Sequence, residues 1–191
     1  MTVRDQIRPI RAQDGAALRE VRLAALADAP EAFQARLEDE AARPEQEWAA
    51  MATLHAASAD TTTFLLWQNS RPVGMIGAFF DQGRRDRAYI CAMWVAPALR
   101  RGGAGGRLVD TAARWLAERG ASRVLAWVAD SNIGALRFYE SLGFVDTKER
   151  GEIRPGQGET LLAFDVAIIA GVTQVLCPLE SRPQLEETST S

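Results

Sequence analysis

The chain has 191 residues, 47% hydrophobic and 25% charged, enough apolar material for one ordinary domain and too much for global disorder. A net charge of −3 and a pI near 5.3 argue against a dedicated nucleic-acid binder. No apolar run reaches the about 18 residues of a membrane span, and the opening MTVRDQIRPI does not read as a signal peptide. The two cysteines, Cys91 and Cys177, have neither metal nor disulfide spacing, so the expected compartment is a reducing cytoplasm and no metal is expected.

Residues 7–11 alternate as a short strand. Asp14 can cap a helix that runs to about Ala27 on the apolar set Ala17, Leu18, Val21, Leu23 and Leu26. Pro30 breaks it, an acidic helical stretch covers 31–42, and Pro44 opens a third helix carrying Trp48, Met51 and Leu54 at helical spacing. Thr61–Gln68 and residues 73–81 are strands joined by the hairpin turn Asn69-Ser70-Arg71-Pro72. A polar turn at 82–87 leads into 89–95, apolar nearly throughout and therefore a central strand. Next comes PALRRGGAGGRLV, residues 97–109, and then a helix with Leu108, Ala112, Trp115 and Leu116 on one face, closed by Gly120. Residues 124–128 form a strand, 132–142 a helix closed by Gly143, and 144–148 and 161–169 the last strands. The expectation is one α/β domain over 1–170, with residues 171–191 as a C-terminal extension whose polar end frays.

The glycine-rich stretch is where chemistry is expected. A strand running into a flexible turn that opens a helix offers unpaired backbone N–H groups at the positive end of the helix dipole, which suits phosphate. Glycine lets the backbone come close and form a nest, and Arg100, Arg101 and Arg107 add positive charge. The bland alternative is a tight turn. A P-loop is excluded because Arg107 and Leu108 stand where Lys and Ser/Thr belong. The dinucleotide fingerprint begins at Gly103 and Gly105 but fails at Leu108, although Asp130 lies at about the distance of a ribose-binding acid.

A third pattern fits. Val95-x-Pro97-x-x-Arg100-x-x-Gly103-x-Gly105 resembles the acyl-CoA signature of the GNAT superfamily of N-acetyltransferases. Asn132-x-x-Ala135-x-x-Phe138-Tyr139-x-x-x-Gly143-Phe144 resembles the family's segment after its fifth strand. Residues 21–33 are also similar to a common opening of bacterial members. The resemblance implies a mixed sheet of about seven strands, splayed between the fourth and fifth and flanked by four to five helices. It also implies acetyl-CoA as cosubstrate and an amine of a small molecule, peptide or protein as acceptor, in a monomer or homodimer, with no nucleic-acid or membrane partner.

Carried onto this sequence, the backbone of Met93, Trp94 and Val95 would hold pantetheine in the splay, much as an added strand would be held. The N–H groups of Arg101, Gly102, Gly103, Ala104, Gly105 and Gly106 would hold the pyrophosphate, with Arg100 at the loop's base. Trp94 can stack on adenine or belong to the core. Asn132 can cap its helix or hydrogen-bond pantetheine. Tyr139 is the candidate general acid for the departing thiolate, its alternative being a ring packed in the core; Phe138 beside it fills core in the same cofactor-facing segment. Ribosomal-protein acetyltransferases of the family carry a glutamate five positions before the asparagine, where this chain has Trp127. Glu159, placed just before the last strand, is the candidate base, or is simply solvated. Cys91 reads as packing, His55 as surface or core, and Glu31, Glu38, Asp39 and Glu40 as an acidic face that can attract a cationic amine. The rival readings are a degenerate acyl-CoA-binding regulatory module and a nucleotide-dependent oxidoreductase.

Overall fold

A computed structural model describes residues 5–81 and 84–168. In chain order these form β1 (Gln6–Pro9), α1 (Gly15–Asp28), α2 (Leu37–Ala41), α3 (Glu45–Ala57), β2 (Thr61–Gln68), β3 (Arg71–Asp81), β4 (Arg84–Val95), α4 (Ala104–Ala117), β5 (Arg123–Ala129), α5 (Ile133–Ser141), β6 (Val145–Arg154) and β7 (Gln157–Asp165). The strands make one seven-stranded sheet in the order β1-β2-β3-β4-β5-β7-β6. Every pairing is antiparallel except β4 with β5. The expected mixed sheet of about seven strands, with its parallel pair in the middle, is therefore what the chain forms. The proposed extension 171–191, with Cys177, lies outside the described residues. No helix among the described residues is long and apolar enough to cross a membrane.

The sheet carries a layer on each face. On one, Leu108, Ala112 and Leu116 of α4 are buried against Ile76, Ile90, Val124 and Leu162, and Tyr139 and Phe144 extend that core. On the other, Val21, Ala25 and Leu26 of α1 and Trp48 of α3 pack on Leu65, Met75 and Trp94. The β2–β3 hairpin turns as its sequence asks: Asn69 and Ser70 both take positive φ (49° and 64°), and Gln68 pairs with Arg71.

Four local expectations change. Asp14 does not cap α1; its carboxylate accepts from the Arg11 N–H (2.8 Å) and from Arg8 Nη1 (2.5 Å), closing the preceding turn instead. Residues 31–42 are not one helix, because Arg154 Nη2 donates to the carbonyls of Pro30 (3.2 Å) and Phe33 (2.7 Å), and Phe33 turns into the core at 7% exposure. Tertiary contacts there outweigh helix propensity. β4 begins at Arg84, earlier than the apolar run. The last hairpin turns at Pro155-Gly156, with Gly156 at φ +76°, so Glu159 lies inside β7 rather than before it.

Candidate active site

The site begins with a defect in strand pairing. β4 and β5 pair only at Ala88↔Val124 and Tyr89↔Leu125, and then diverge. The rest of β4 therefore presents an open backbone edge toward β5. On its other side β4 is bulged: Met75 pairs with Trp94 but Gly77 pairs with Cys91, and Ala92 takes φ +50°. Gly77 permits this. A Cβ there would stand 2.7 Å from Cys91 Sγ.

At the end of β4 the chain turns through Pro97–Leu99 and enters α4 by way of Arg101 (φ 63°) and Gly103 (φ 78°). The first backbone bond of the helix runs from the Arg107 N–H to the Gly103 carbonyl (3.1 Å). Among the described residues no backbone acceptor outside the helix takes the N–H groups of Arg101, Gly102, Gly103, Ala104, Gly105 or Gly106. Unpaired donors of this kind at a helix start form an anion cradle. The loop's base is fixed by side chains. Arg100 Nε donates to the Val95 carbonyl (2.9 Å) and its guanidinium pairs with Asp28, the last residue of α1. Trp94 Nε1 donates to the same Asp28 carboxylate (2.8 Å). The Trp94 hydrogen bond, followed by Arg100, holds the Asp28 carboxyl below the usual carboxylate range against its partial burial. Arg107 reaches away to Asp5 (3.0 Å). Of the three loop arginines only Arg101 has no ion-pair partner among the described residues, and it borders the cleft.

That cleft has a volume of about 760 Å³ and is walled by Met93 to Val95, Arg100, Arg101, Gly103, Gly105 and Gly106 on one side, by Asn132, Gly134, Ala135 and Phe138 on another, and by Asp28, Ala29, Glu31, Ala32 and Phe33 at the end of α1. It falls within the range of sites that hold organic cofactors. Phe138 does more than fill core: it lies in the wall and covers Gly105, where a Cβ would stand 3.1 Å from its Cζ. Asn132 caps α5, its Oδ1 accepting from the Ala135 N–H (3.0 Å), which leaves its amide NH₂ as the group available to a ligand. The Trp94 indole belongs to the α1-side core at 8% exposure, so its ring is held for packing and for Asp28. Ala104 is buried and Gly102 lies off the wall; both contribute backbone N–H groups alone.

Tyr139 is outside the cleft wall, with its ring between Phe138 and Phe144 (centroids 5.2 and 5.0 Å) and only 6% of its surface exposed. Its hydroxyl meets no hydrogen-bonding side chain, and burial raises its pKa far above the ordinary tyrosine value, so it carries its proton at neutral pH. It lies within electrostatic reach of Cys91 on β4. Glu159 is half-buried, and burial, followed by the neighbouring Asp130, raises its carboxyl. A Cβ on Gly151 would touch both Glu159 Oε1 (3.0 Å) and Trp127 Cζ3 (3.3 Å), so carboxylate and indole lie side by side. Cys91 is not packed as expected: it is open to a second cavity between the sheet and α1 and α3, and the protein enclosing it pushes its thiol up. His55 borders the same cavity, its Nδ1 2.9 Å from Thr63 Oγ1. The residues missed in sequence are Asp28 and Arg22, whose partners are distant along the chain.

The profile of the Acetyltransferase (GNAT) family matches residues 22–144. An uncharacterized N-acetyltransferase of Methanocaldococcus jannaschii is 33% identical over 85 residues, which are 42% of this chain and 38% of that protein, well under half its length. Among solved structures, a GNAT acetyltransferase from Streptococcus pneumoniae superposes with a TM-score of 0.72 at 20% identity, over 85% of this chain and 99% of its own. An N-acetyltransferase from Thermoplasma acidophilum, in complex with coenzyme A, gives 0.69 at 14% identity, over 85% and 99%. At these identities the structures speak for the fold. The family profile, which spans well over half of the chain, covers the split of β4 from β5 and the row of open N–H groups, and this chain belongs to the GNAT family of acetyltransferases.

Proposed function

We propose that the chain transfers an acetyl group from acetyl-CoA to the primary amine of a small molecule or peptide by direct attack. The observation that carries this reading is the run of unpartnered N–H groups from Arg101 to Gly106, set at the mouth of a cleft that ends on the open edge of β4. Acetyl-CoA supplies the thioester that the amine attacks. The loop's N–H groups and Arg101 take its phosphates, the free edge of β4 near Met93 and Val95 pairs with its amide-bearing arm, and the Asn132 NH₂ offers a further donor. Tyr139, next to Phe138 of the wall, keeps a proton at its Oη and is the donor for the charge that develops on sulfur.

Glu159 is the base. Its raised pKa makes it a better proton acceptor than a surface glutamate, and it reaches the spot beside Trp127 from β7 rather than β5. The missing fifth-strand glutamate is thus compensated from the adjacent strand. A rival reading, an acyl-CoA-binding module without turnover, draws on the burial of Tyr139 and on Trp127 itself. Calorimetry with acetyl-CoA and thiol release over a broad amine panel decide between them. Saturable binding with turnover above hydrolysis is expected; binding without any turnover selects the module, and no binding by folded protein removes both. In the active case Glu159→Gln should flatten the rise of kcat/KM with pH.

A further inference from the structure

The second cavity, about 180 Å³ between the sheet and helices α1 and α3, holds two donors with nothing to donate to. One is Arg22 of α1. Its guanidinium sits 4.9 Å from the centre of the Phe33 ring and has no hydrogen bond or ion pair among the described residues. Glu40, which also lines the cavity, is engaged by Arg43 Nε at 3.2 Å. The other is Trp48, 1% exposed, whose buried Nε1–H has no partner. A buried indole N–H left unpaired is costly, and beside it the half-buried Arg22 offers a charged donor to the same cavity, so an acceptor entering there would satisfy both. His55, hydrogen-bonded through Nδ1 to Thr63 Oγ1, makes no hydrogen bond to Arg22 or Trp48 among the described residues.

The cavity and the cofactor cleft meet along one strand: Cys91 and Ala92 of β4 line the cavity, and the next residues, Met93 to Val95, line the cleft. Cys91 is within electrostatic reach of both Arg22 and Tyr139. At roughly 30 Å³ per water the space takes a fragment the size of several waters, not a polypeptide segment. A planar guanidinium matches a carboxylate in two parallel hydrogen bonds.

We propose that the cavity binds a compact carboxylate at Arg22, and that the acceptor is therefore a small amino acid-like molecule whose amine faces the gap while its carboxylate enters the cavity. This rests on the acetyltransferase reading, so the test has one arm that needs no turnover. In that arm Cys91 of the full chain is alkylated with iodoacetate or with its neutral analogue iodoacetamide, iodide leaving as sulfur bonds to carbon, and the rate at Cys91 is read by peptide mass spectrometry. The ratio of acid to amide rates should fall by about ten-fold in Arg22→Gln and be largely kept in Arg22→Lys. A ratio insensitive to Arg22→Gln overturns the site. The second arm measures thiol release from acetyl-CoA with the common amino acids and with their carboxamides. In the wild-type chain kcat/KM for the best acid should exceed that of its amide by at least about ten-fold, and the preference should vanish in Arg22→Gln with acetyl-CoA affinity unchanged. Equal use of acids and amides overturns the inference and leaves the transferase standing. Turnover of no amine at all overturns the acceptor assignment together with the transferase, while the alkylation ratio still judges the cavity.

Discussion

Two glycines two residues apart in the same loop should fail in opposite ways. A Cβ at Gly105 would lie 3.1 and 3.3 Å from two atoms of the Phe138 ring and 3.9 Å from Met93 Cε. Those ring distances are shorter than the about 3.5–4.0 Å of comfortable carbon contacts. Gly105→Val adds two further methyls at that point, so either Phe138 moves or the methyls stand in the cleft over the N–H row. Acetyl-CoA affinity should drop by about ten-fold or more, some 1.4 kcal/mol. The melting temperature should hardly move, because the strain is offset by replacing a glycine at a helix start. Gly103 is different: its φ is +78° and no atom lies within 4 Å of where its Cβ would be. Gly103→Ala therefore meets only the backbone cost of the left-handed region, about 1 kcal/mol, which lowers Tm by roughly 2–4 °C at this chain length. Its affinity should stay within a few-fold. Calorimetry and thermal melts on the two variants read both quantities. A folded Gly105→Val chain with unchanged affinity would refute the cradle and leave the loop a turn.

Tyr139→Phe should leave acetyl-CoA affinity and Tm intact, since the hydroxyl has no hydrogen-bond partner to lose, while kcat falls by about 10²-fold; full kcat under rate-limiting chemistry would make water the proton donor. Asp28→Asn should loosen the loop's base and raise the acetyl-CoA dissociation constant a few-fold by calorimetry, since it removes the charge that Arg100 pairs with while keeping an acceptor for Trp94. Because the Asp28 carboxyl is depressed in the fold, the stability it contributes is present above the unfolded value near about 3.9 and lost as pH falls through the folded value. Melts of wild type and Asp28→Asn should therefore converge in acid. Burial lowers the His55 pKa, so below about 6.5 the unfolded chain binds the proton first and stability falls with pH. His55→Gln should make the wild-type Tm difference between neutral and mildly acid buffer smaller, and an undiminished slope would rule His55 out as its source.

Much of this was legible because it rests on local chemistry. The Asn69-Ser70 turn, the glycine that closes α5, and the strand–loop–helix passage into α4 are decided within a few residues of each other. Most of the rest turned on partners far along the chain, and a few on a local turn that was not recognised. Residues 31–42 carry a helical composition, yet Arg154, more than a hundred positions away, draws off the carbonyls that a helix would use. Glu159 looked like a solvated acid before a strand because the Pro155-Gly156 turn that starts β7 early was not read as a hairpin. Asp28 and Arg22 lie in an ordinary amphipathic helix pattern, and nothing in that pattern says that one meets Trp94 and Arg100 while the other faces a cavity.

Trp94 shows most clearly why a regular pattern misleads here. Strict alternation from Ile90, which faces α4, would send Trp94 to that same side. The bulge at Ala92 reverses the parity, so Cys91 and Trp94, three residues apart, both face α1, opposite Gly77 and Met75. Two consequences follow from that single extra residue. The Trp94 indole can reach Asp28, and with Arg100 it ties the glycine loop to the end of α1. Val95 returns to the α4 side, where its carbonyl receives Arg100 Nε. Cys91, ahead of the bulge, keeps the α1 side that alternation gives it and borders the cavity that holds Arg22, and the edge of β4 is open because β5 diverges. The bulge in β4 therefore decides which side of the sheet Trp94 and Val95 take, and through Trp94 and Arg100 it anchors the glycine loop to the end of α1.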